Sequence, residues 1–192
     1  MMSQPRILAF AGSARRDSFN KKLIKIAAKA AQQAGAEVTV LDLADFPMPL
    51  YDGDLEAEHG IPENAKALKE LFLAHQGLLL SCPEYNSSIT PLLKNTIDWV
   101  SRPVEGEGPL AAYQGKVCSL MSASPGALGG LRGLVHVRSI LQNIGVIVLP
   151  KQVAISQANN VFTDDGALND SRQQETIEGL GKSLCGFLQK LQ

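Results

Sequence analysis

Short apolar runs alternate along this chain with stretches in which apolar residues return every three or four positions. The first run, Ile7-Leu-Ala-Phe-Ala11 after Arg6, has the length and apolarity of a buried strand. Leu23, Ile24, Ala27, Ala28, Ala31 and Ala34 then keep helical spacing, and Gly35 follows where a helix-ending glycine belongs. Glu37-Val-Thr-Val-Leu-Asp-Leu43 reads as a second strand, and Ala44 to Glu63, rich in Pro, Asp and Gly without periodicity, as a long loop. A helix is expected from about Pro62 to His75, with Leu68, Leu71 and Phe72 inward, then an almost wholly apolar strand over Gly77-Leu-Leu-Leu-Ser-Cys82.

The second half repeats the alternation. Leu93, Ile97 and Val100 mark one face of a helix ended by Pro103, while Leu92, Thr96 and Trp99 widen that face beyond a single core stripe. Turn-rich residues from Gly106 to Gln114 lead to a strand over Lys116-Val-Cys-Ser-Leu-Met-Ser122. Leu131, Leu134, Val135 and Leu141 predict another helix, Val146 to Leu149 a fifth strand, and Ile177, Leu180, Leu184, Phe187, Leu188 and Leu191 a closing amphipathic helix. Five strands separated by helices imply an α/β chain with a doubly wound, five-stranded parallel sheet and right-handed crossovers. With the order 2-1-3-4-5, the small polar loops after the first, third and fourth strands meet at one sheet edge, where ligands bind in such folds.

Length and composition add limits to this picture. The 192 residues, 45% of them hydrophobic, fit one domain over 1–192 with a sizeable core. Lys and Arg number 18 against 19 Asp and Glu, so no basic stripe points to nucleic acid and the partner is expected to be a small molecule. No signal peptide is read at Met1-Met-Ser-Gln-Pro-Arg6, and no run of about 18 apolar residues predicts a membrane span, so a cytoplasmic protein is expected. Cys82, Cys118 and Cys185 lack zinc spacing, and His59, His75 and His136 are scattered, so no metal is assigned.

The chemistry gathers first at Gly12-Ser-Ala-Arg-Arg-Asp-Ser-Phe-Asn20, where the first strand stops and a helix begins. Helix N-termini attract phosphate, and Ser13, Ser18, Asn20 and Arg15 add hydrogen-bond donors. Arg16 has no assigned role, and Lys22, Lys25 and Lys29 read as a solvated helix face. No Gly-Lys-Ser/Thr triplet makes this a P-loop. Without second and third glycines after Gly12 it is not a dinucleotide fingerprint either, so Asp42 reads as a solvated strand end rather than a ribose ligand.

These residues resemble the G-S-x-R-x-x-S-x-N loop of the NADPH-dependent FMN reductase family, which includes quinone, chromate and azo-dye reductases. Pro83-Glu-Tyr-Asn-Ser-Ser-Ile-Thr-Pro-Leu-Leu-Lys-Asn-Thr-Ile-Asp-Trp99 resembles the family's P-E-Y-N block, Ser122 to Gly130 its third flavin-contacting loop, and Phe162-Thr-Asp-Asp-Gly-Ala-Leu168 its late D-G-x-L turn. The resemblance implies a flavodoxin-like fold, with Ser13, Arg15, Ser18 and Asn20 on the FMN phosphate. Pro83, Glu84, Tyr85, Asn86 and Ser87 would form the ring and ribityl wall, completed by Ser122 and Gly126.

The implied activity is an FMN-dependent NAD(P)H oxidoreductase with a small electron acceptor such as a quinone, chromate, an azo compound or free flavin. A flavodoxin-type electron carrier without nicotinamide turnover is the alternative. No protein acid or base is needed, because the flavin carries the electrons; Tyr85 and Arg102 are candidates for the substrate face. The apolar surface around Trp99 and Val100 predicts a dimer or a dimer of dimers, and the resemblance adds that the Phe46 to Leu55 loop reaches a partner's cofactor.

Overall fold

The computed structural model describes residues 4–191. Its main sheet has five parallel strands, β1 (Arg6–Ala11), β2 (Glu37–Val40), β3 (Gly77–Ser81), β6 (Val117–Ala123) and β7 (Ile147–Ile155). They lie in the order β2-β1-β3-β6-β7, which is 2-1-3-4-5 when only these strands are counted. Two further strands, β4 (Glu84–Tyr85) and β5 (Ser88–Ile89), form a small antiparallel hairpin outside that sheet. The helices are α1 (Phe19–Gln33), α2 (Gly53–His59), α3 (Glu63–Ala74), α4 (Pro91–Val100), α5 (Leu131–Asn143) and α6 (Ser171–Lys190).

The central strands are buried on both faces, so alternate residues feed two separate cores. Ile7, Ala9, Leu79 and Met121 pack with Leu23, Ala27, Leu184 and Leu188 of α1 and α6. Leu8, Phe10, Leu80 and Leu120 pack on the other side with Phe72, Leu93, Ile97 and Val137 of α3, α4 and α5. Helix α6 approaches α1 closely at Gly181, where an added Cβ would stand 2.0 Å from the Ala27 carbonyl oxygen. This crossing fixes α1 against the sheet, and with it the loop that opens at its N-terminus.

Several details differ from the expectations. The second strand ends at Val40, because the Asp42 carboxylate accepts from the Ala44 N–H and starts a single 3-10 turn over Leu43–Asp45. The same carboxylate pairs with Lys21, so Asp42 is a capping residue with a lysine partner. Inside the expected long loop lies α2, too short to show periodicity but capped by Asp52, which accepts from the Asp54 and Leu55 N–H groups. The fifth strand continues beyond Leu149 to Ile155 through Pro150, at the sheet edge where a missing N–H is tolerated. Opposite its irregular register, Arg138 donates to the carbonyls of Val148, Leu149 and Pro150. On α5, Leu134, Val137 and Leu141 are buried, whereas Leu131 and Val135 face outward.

The broad apolar face of α4 has its cover within the same chain. Trp99 and Val100 are both fully buried. Trp99 Nε1 donates to the Pro49 carbonyl at 2.8 Å, and the Tyr51 ring meets the indole edge-on at 5.0 Å. Asn95 donates to the same Pro49 oxygen and accepts from the Tyr51 N–H. The segment 47–51 therefore lies along its own α4, and Trp99 and Val100 present no surface to a partner. No helix among the described residues is long and apolar enough to cross a membrane.

Candidate functional site

Three loops leave the carboxyl ends of β1, β3 and β6 and close on one cleft lined by Ser13, Arg15, Ser18, Phe19, Asn20, Pro83, Glu84, Tyr85, Ala123, Ser124 and Pro125. The cleft's volume is about 90 Å³. That is a fraction of the several hundred Å³ that enclose a drug-sized ligand. It suits one end of a larger molecule rather than the whole of it.

The first wall is built by the turn from β1 into α1. Gly12 lets this turn pack closely, since a Cβ would stand 3.1 Å from Leu93 Cβ and 3.4 Å from Pro83 Cδ. Thr90 fastens this turn to the next element: its hydroxyl donates to the Gly12 carbonyl at 2.8 Å and accepts from the Leu93 N–H at the start of α4. Threonine before proline is an N-cap signal legible in the sequence. Its second bond, to a residue 78 positions earlier, is not.

Ser18 holds the N-cap position of α1, yet its hydroxyl caps no helix N–H, so the first-turn donors face the cleft without a side-chain acceptor. Ser13 is buried and accepts from the Arg15 N–H. The Arg15 guanidinium is exposed and has no carboxylate partner among the described residues. Arg15 borders the cleft, whereas Arg16 borders a separate groove beside Lys21 and Asp42. The Phe19 ring stacks on Phe162 at 5.9 Å, joining the late Asp-Gly turn to the base of this wall.

Asn20 is placed differently from the other three. Its side chain is buried, its Oδ1 accepts from Ser81 Oγ and from the Ala123 N–H, and its Nδ2 donates to the Ala123 carbonyl. The amide ties the three loops together at the floor of the cleft.

The second wall is the β4–β5 hairpin. Asn86 and Ser87 both have positive φ, 48° and 68°, the conformation of a two-residue hairpin turn that matches strand twist. Tyr85 stands 55% exposed at its edge, while Pro83 is buried. Glu84 lines the cleft with its carboxylate tied to α5, accepting from the Gly133 N–H at 2.9 Å and pairing with Arg132 at 3.0 Å. Burial pushes its carboxyl up, but the Gly133 N–H and the Arg132 guanidinium outweigh that and hold it below the usual glutamate range. Glu84 stays ionised and neutralised, so the cleft carries no free carboxylate that would repel an anion.

The third wall is the loop after β6. Gly126 is exposed there, its N–H bonded to Ser124 Oγ. Ser122 is fully buried, with its hydroxyl lacking a partner among the described residues and lying against Gly130, where a Cβ would come within 2.0 Å. Ser122 lies beneath this loop, packed against Gly130. Gly130, at φ 94°, and Gly129, at φ 62°, turn the chain into α5.

Arg102 lies apart from the other candidates. It follows the C-terminus of α4, about 15 Å along that helix from the loop edge. Its Nε donates to Glu56 Oε1 at 2.8 Å and its guanidinium covers the Tyr51 ring at 5.3 Å. The Glu56 hydrogen bond holds its pKa above the usual arginine range. Arg102 therefore locks α2 to α4 and is not brought to the cleft. Cys82, next to Pro83, is buried and its thiol is pushed up to about 12, so it carries no thiolate chemistry.

The donor set fits a phosphorylated cofactor: an uncapped helix start, a free guanidinium, and no unpaired carboxylate. Comparison with known proteins agrees. Residues 5–160 match the family model described as NADPH-dependent FMN reductase. The chain is 32% identical over 192 residues to an NAD(P)H-dependent FMN reductase of Pseudomonas aeruginosa, covering 100% of this chain and 99% of that one. It is also 32% identical over 194 residues to a quinone reductase of Escherichia coli, again covering 100% and 99%. Among solved structures, FerB of Paracoccus denitrificans, a flavoenzyme NAD(P)H:(acceptor) oxidoreductase, superposes with a TM-score of 0.80 at 28% identity, covering 97% of this chain and 98% of that one.

Proposed function

Because the chain belongs to the NADPH-dependent FMN reductase family, we propose that the three-loop cleft holds FMN and that the protein is an NAD(P)H oxidoreductase acting on quinones. When bound, FMN supplies the hydride acceptance and delivery that no protein side chain offers. Arg15, Ser13, Ser18 and the first N–H groups of α1 hold the phosphate end. Asn20 keeps the three loops at fixed separation, and the rigid turn at Asn86 and Ser87 orients the main chain of the second wall beside Pro83 and Tyr85. Gly126 and its neighbours leave the third wall low. Exposed Tyr85 borders the side from which nicotinamide and acceptor enter in turn.

The observation that carries this reading is the pairing, in one cleft, of an uncapped helix N-terminus with an unpaired arginine and no unpaired carboxylate. Chromate, azo compounds and free flavin are further acceptors within the same proposal. So are a single domain over 1–192, placement in the cytoplasm, and self-association as a dimer or dimer of dimers. Leu131 and Val135, 44% and 56% exposed on one face of α5, support association in place of the buried Trp99 and Val100. Light scattering that returns a monomer at micromolar concentration rejects it.

The activity is tested by mixing NADPH with the FMN-loaded protein without acceptor in a stopped-flow instrument. Loss of the oxidised-flavin absorption is expected, followed by its return on addition of a benzoquinone. Steady-state double-reciprocal plots at several quinone levels should be parallel. Persistence of the oxidised spectrum would leave an electron carrier instead.

A further inference from the structure

We propose that a cavity at the amino-terminal edge of the sheet is a second binding site, taking a carboxylate with an apolar tail and using the Lys116 ammonium as its counter-ion. The cavity measures about 320 Å³ and is bordered by Leu73, Gln76, Gln114, Lys116, Leu188 and Leu191. It lies at the start of β6, whereas the three-loop cleft lies at that strand's end, about 20 Å away by strand rise.

Lys116 is a buried cation with no carboxylate partner among the described residues. The structure buries two lysines, Lys69 at 4% and Lys116 at 8% exposure. Lys69 has a carboxylate partner in Glu107. Lys116 has none among the described residues, and its Nζ donates to the His75 carbonyl alone. A buried cation costs several kcal/mol unless an anion and hydrogen bonds satisfy it. Burial and the nearby positive Arg6 pull its pKa down to about 8, in keeping with the absence of a carboxylate partner among the described residues.

The surroundings select the kind of anion. Leu73 of α3 and Leu191 beyond α6 are 36% and 60% exposed at the rim, an apolar pair from two elements around one cation. The Gln76 and Gln114 side chains are the neutral polar groups on the wall. One positive charge with amides suits a monovalent carboxylate, and the leucines suit a hydrocarbon tail that an inorganic ion lacks.

The probe is octanoate, added to the FMN-loaded protein at constant ionic strength. At ten times its Kd, octanoate should slow acetylation of Lys116 by acetic anhydride about tenfold, read by peptide mass spectrometry. It should also raise the melting temperature. Octanamide should do neither, and Lys116→Met, which keeps the stem and removes the charge, should lose the thermal shift while still binding FMN. If Lys116→Met does not fold, protection of wild-type Lys116 by octanoate and not by octanamide still decides for the site. Absence of protection, an equal shift in Lys116→Met, or equal protection by sulfate overturns the proposal.

Discussion

Asn20 and Ala123, 103 residues apart, exchange two hydrogen bonds: Asn20 Nδ2 donates to the Ala123 carbonyl at 2.8 Å, and the Ala123 N–H donates to Asn20 Oδ1 at 3.0 Å. A side-chain amide thus continues the β6 ladder where β3 has ended and Pro83, without an N–H, begins the next loop. Ser81 adds a third bond to the same Oδ1 at 2.8 Å.

Asn20→Ala is therefore expected to leave buried groups on two strands without partners, at a cost of about 3 kcal/mol. Urea denaturation measures this. FMN and riboflavin binding should fall together, because the loops lose their spacing. A loss well under 1 kcal/mol would mean that the amide does not hold the loops.

Arg15→Ala should behave in the opposite way. A charge-assisted hydrogen bond contributes about 1.5 to 3 kcal/mol, so FMN affinity should fall about ten- to a hundredfold while riboflavin affinity scarcely changes. Both titrations need one fixed ionic strength, since Arg15 is exposed and salt screens it. Equal losses for both flavins would remove Arg15 from the phosphate.

Glu84→Gln tests the clamp between the hairpin and α5. The glutamine keeps one acceptor but loses the charge facing Arg132 and Gly133, and should destabilise by about 1 to 2 kcal/mol at pH 7. The carboxyl's pKa is lower folded than unfolded, so its contribution is present above the unfolded value, near 4.5, and fades as pH falls through the folded value. The melting-temperature gap between wild type and variant should accordingly narrow below about pH 4.5. A gap independent of pH would exclude the charge as its source.

Arg102→Ala should lower stability by no more than about 1 kcal/mol, through the half-exposed pair with Glu56 and the cover over Tyr51. Quinone reduction should keep its kcat/KM within about twofold, because Arg102 lies off the cleft. A tenfold loss of kcat/KM with an unchanged melting temperature would return it to the substrate face.

Gly130→Ala places a Cβ 2.0 Å from the buried Ser122 hydroxyl at a φ of 94°, so strain and overpacking act together. A cost of about 2 to 4 kcal/mol is expected. Ser122→Ala in the same chain should recover only part of it, because the backbone strain remains; full recovery would assign the whole cost to the hydroxyl contact.

The alternation of strands and helices was legible in the sequence because its signals are local. Apolar runs such as Gly77 to Ser81 and helical spacing such as Leu23 to Ala31 report burial on one or both faces whatever they pack against. Given the order 2-1-3-4-5, which the structure shows, the polar loops at matching strand ends already implied the meeting of Ser13, Arg15, Ser18, Pro83 and Tyr85 at one edge. What the tertiary structure alone decided is the partner of each long polar or aromatic side chain. Asn20 bonds Ala123, Glu84 turns to Gly133, Arg102 reaches Glu56, and Trp99 is covered by Pro49 and Tyr51. An amide, a carboxylate or a guanidinium has the same hydrogen-bonding capacity toward a cofactor as toward a distant stretch of backbone, and residue type states only that capacity. Which use it serves depends on elements 46 to 103 residues away arriving beside it, and no local pattern encodes that arrival.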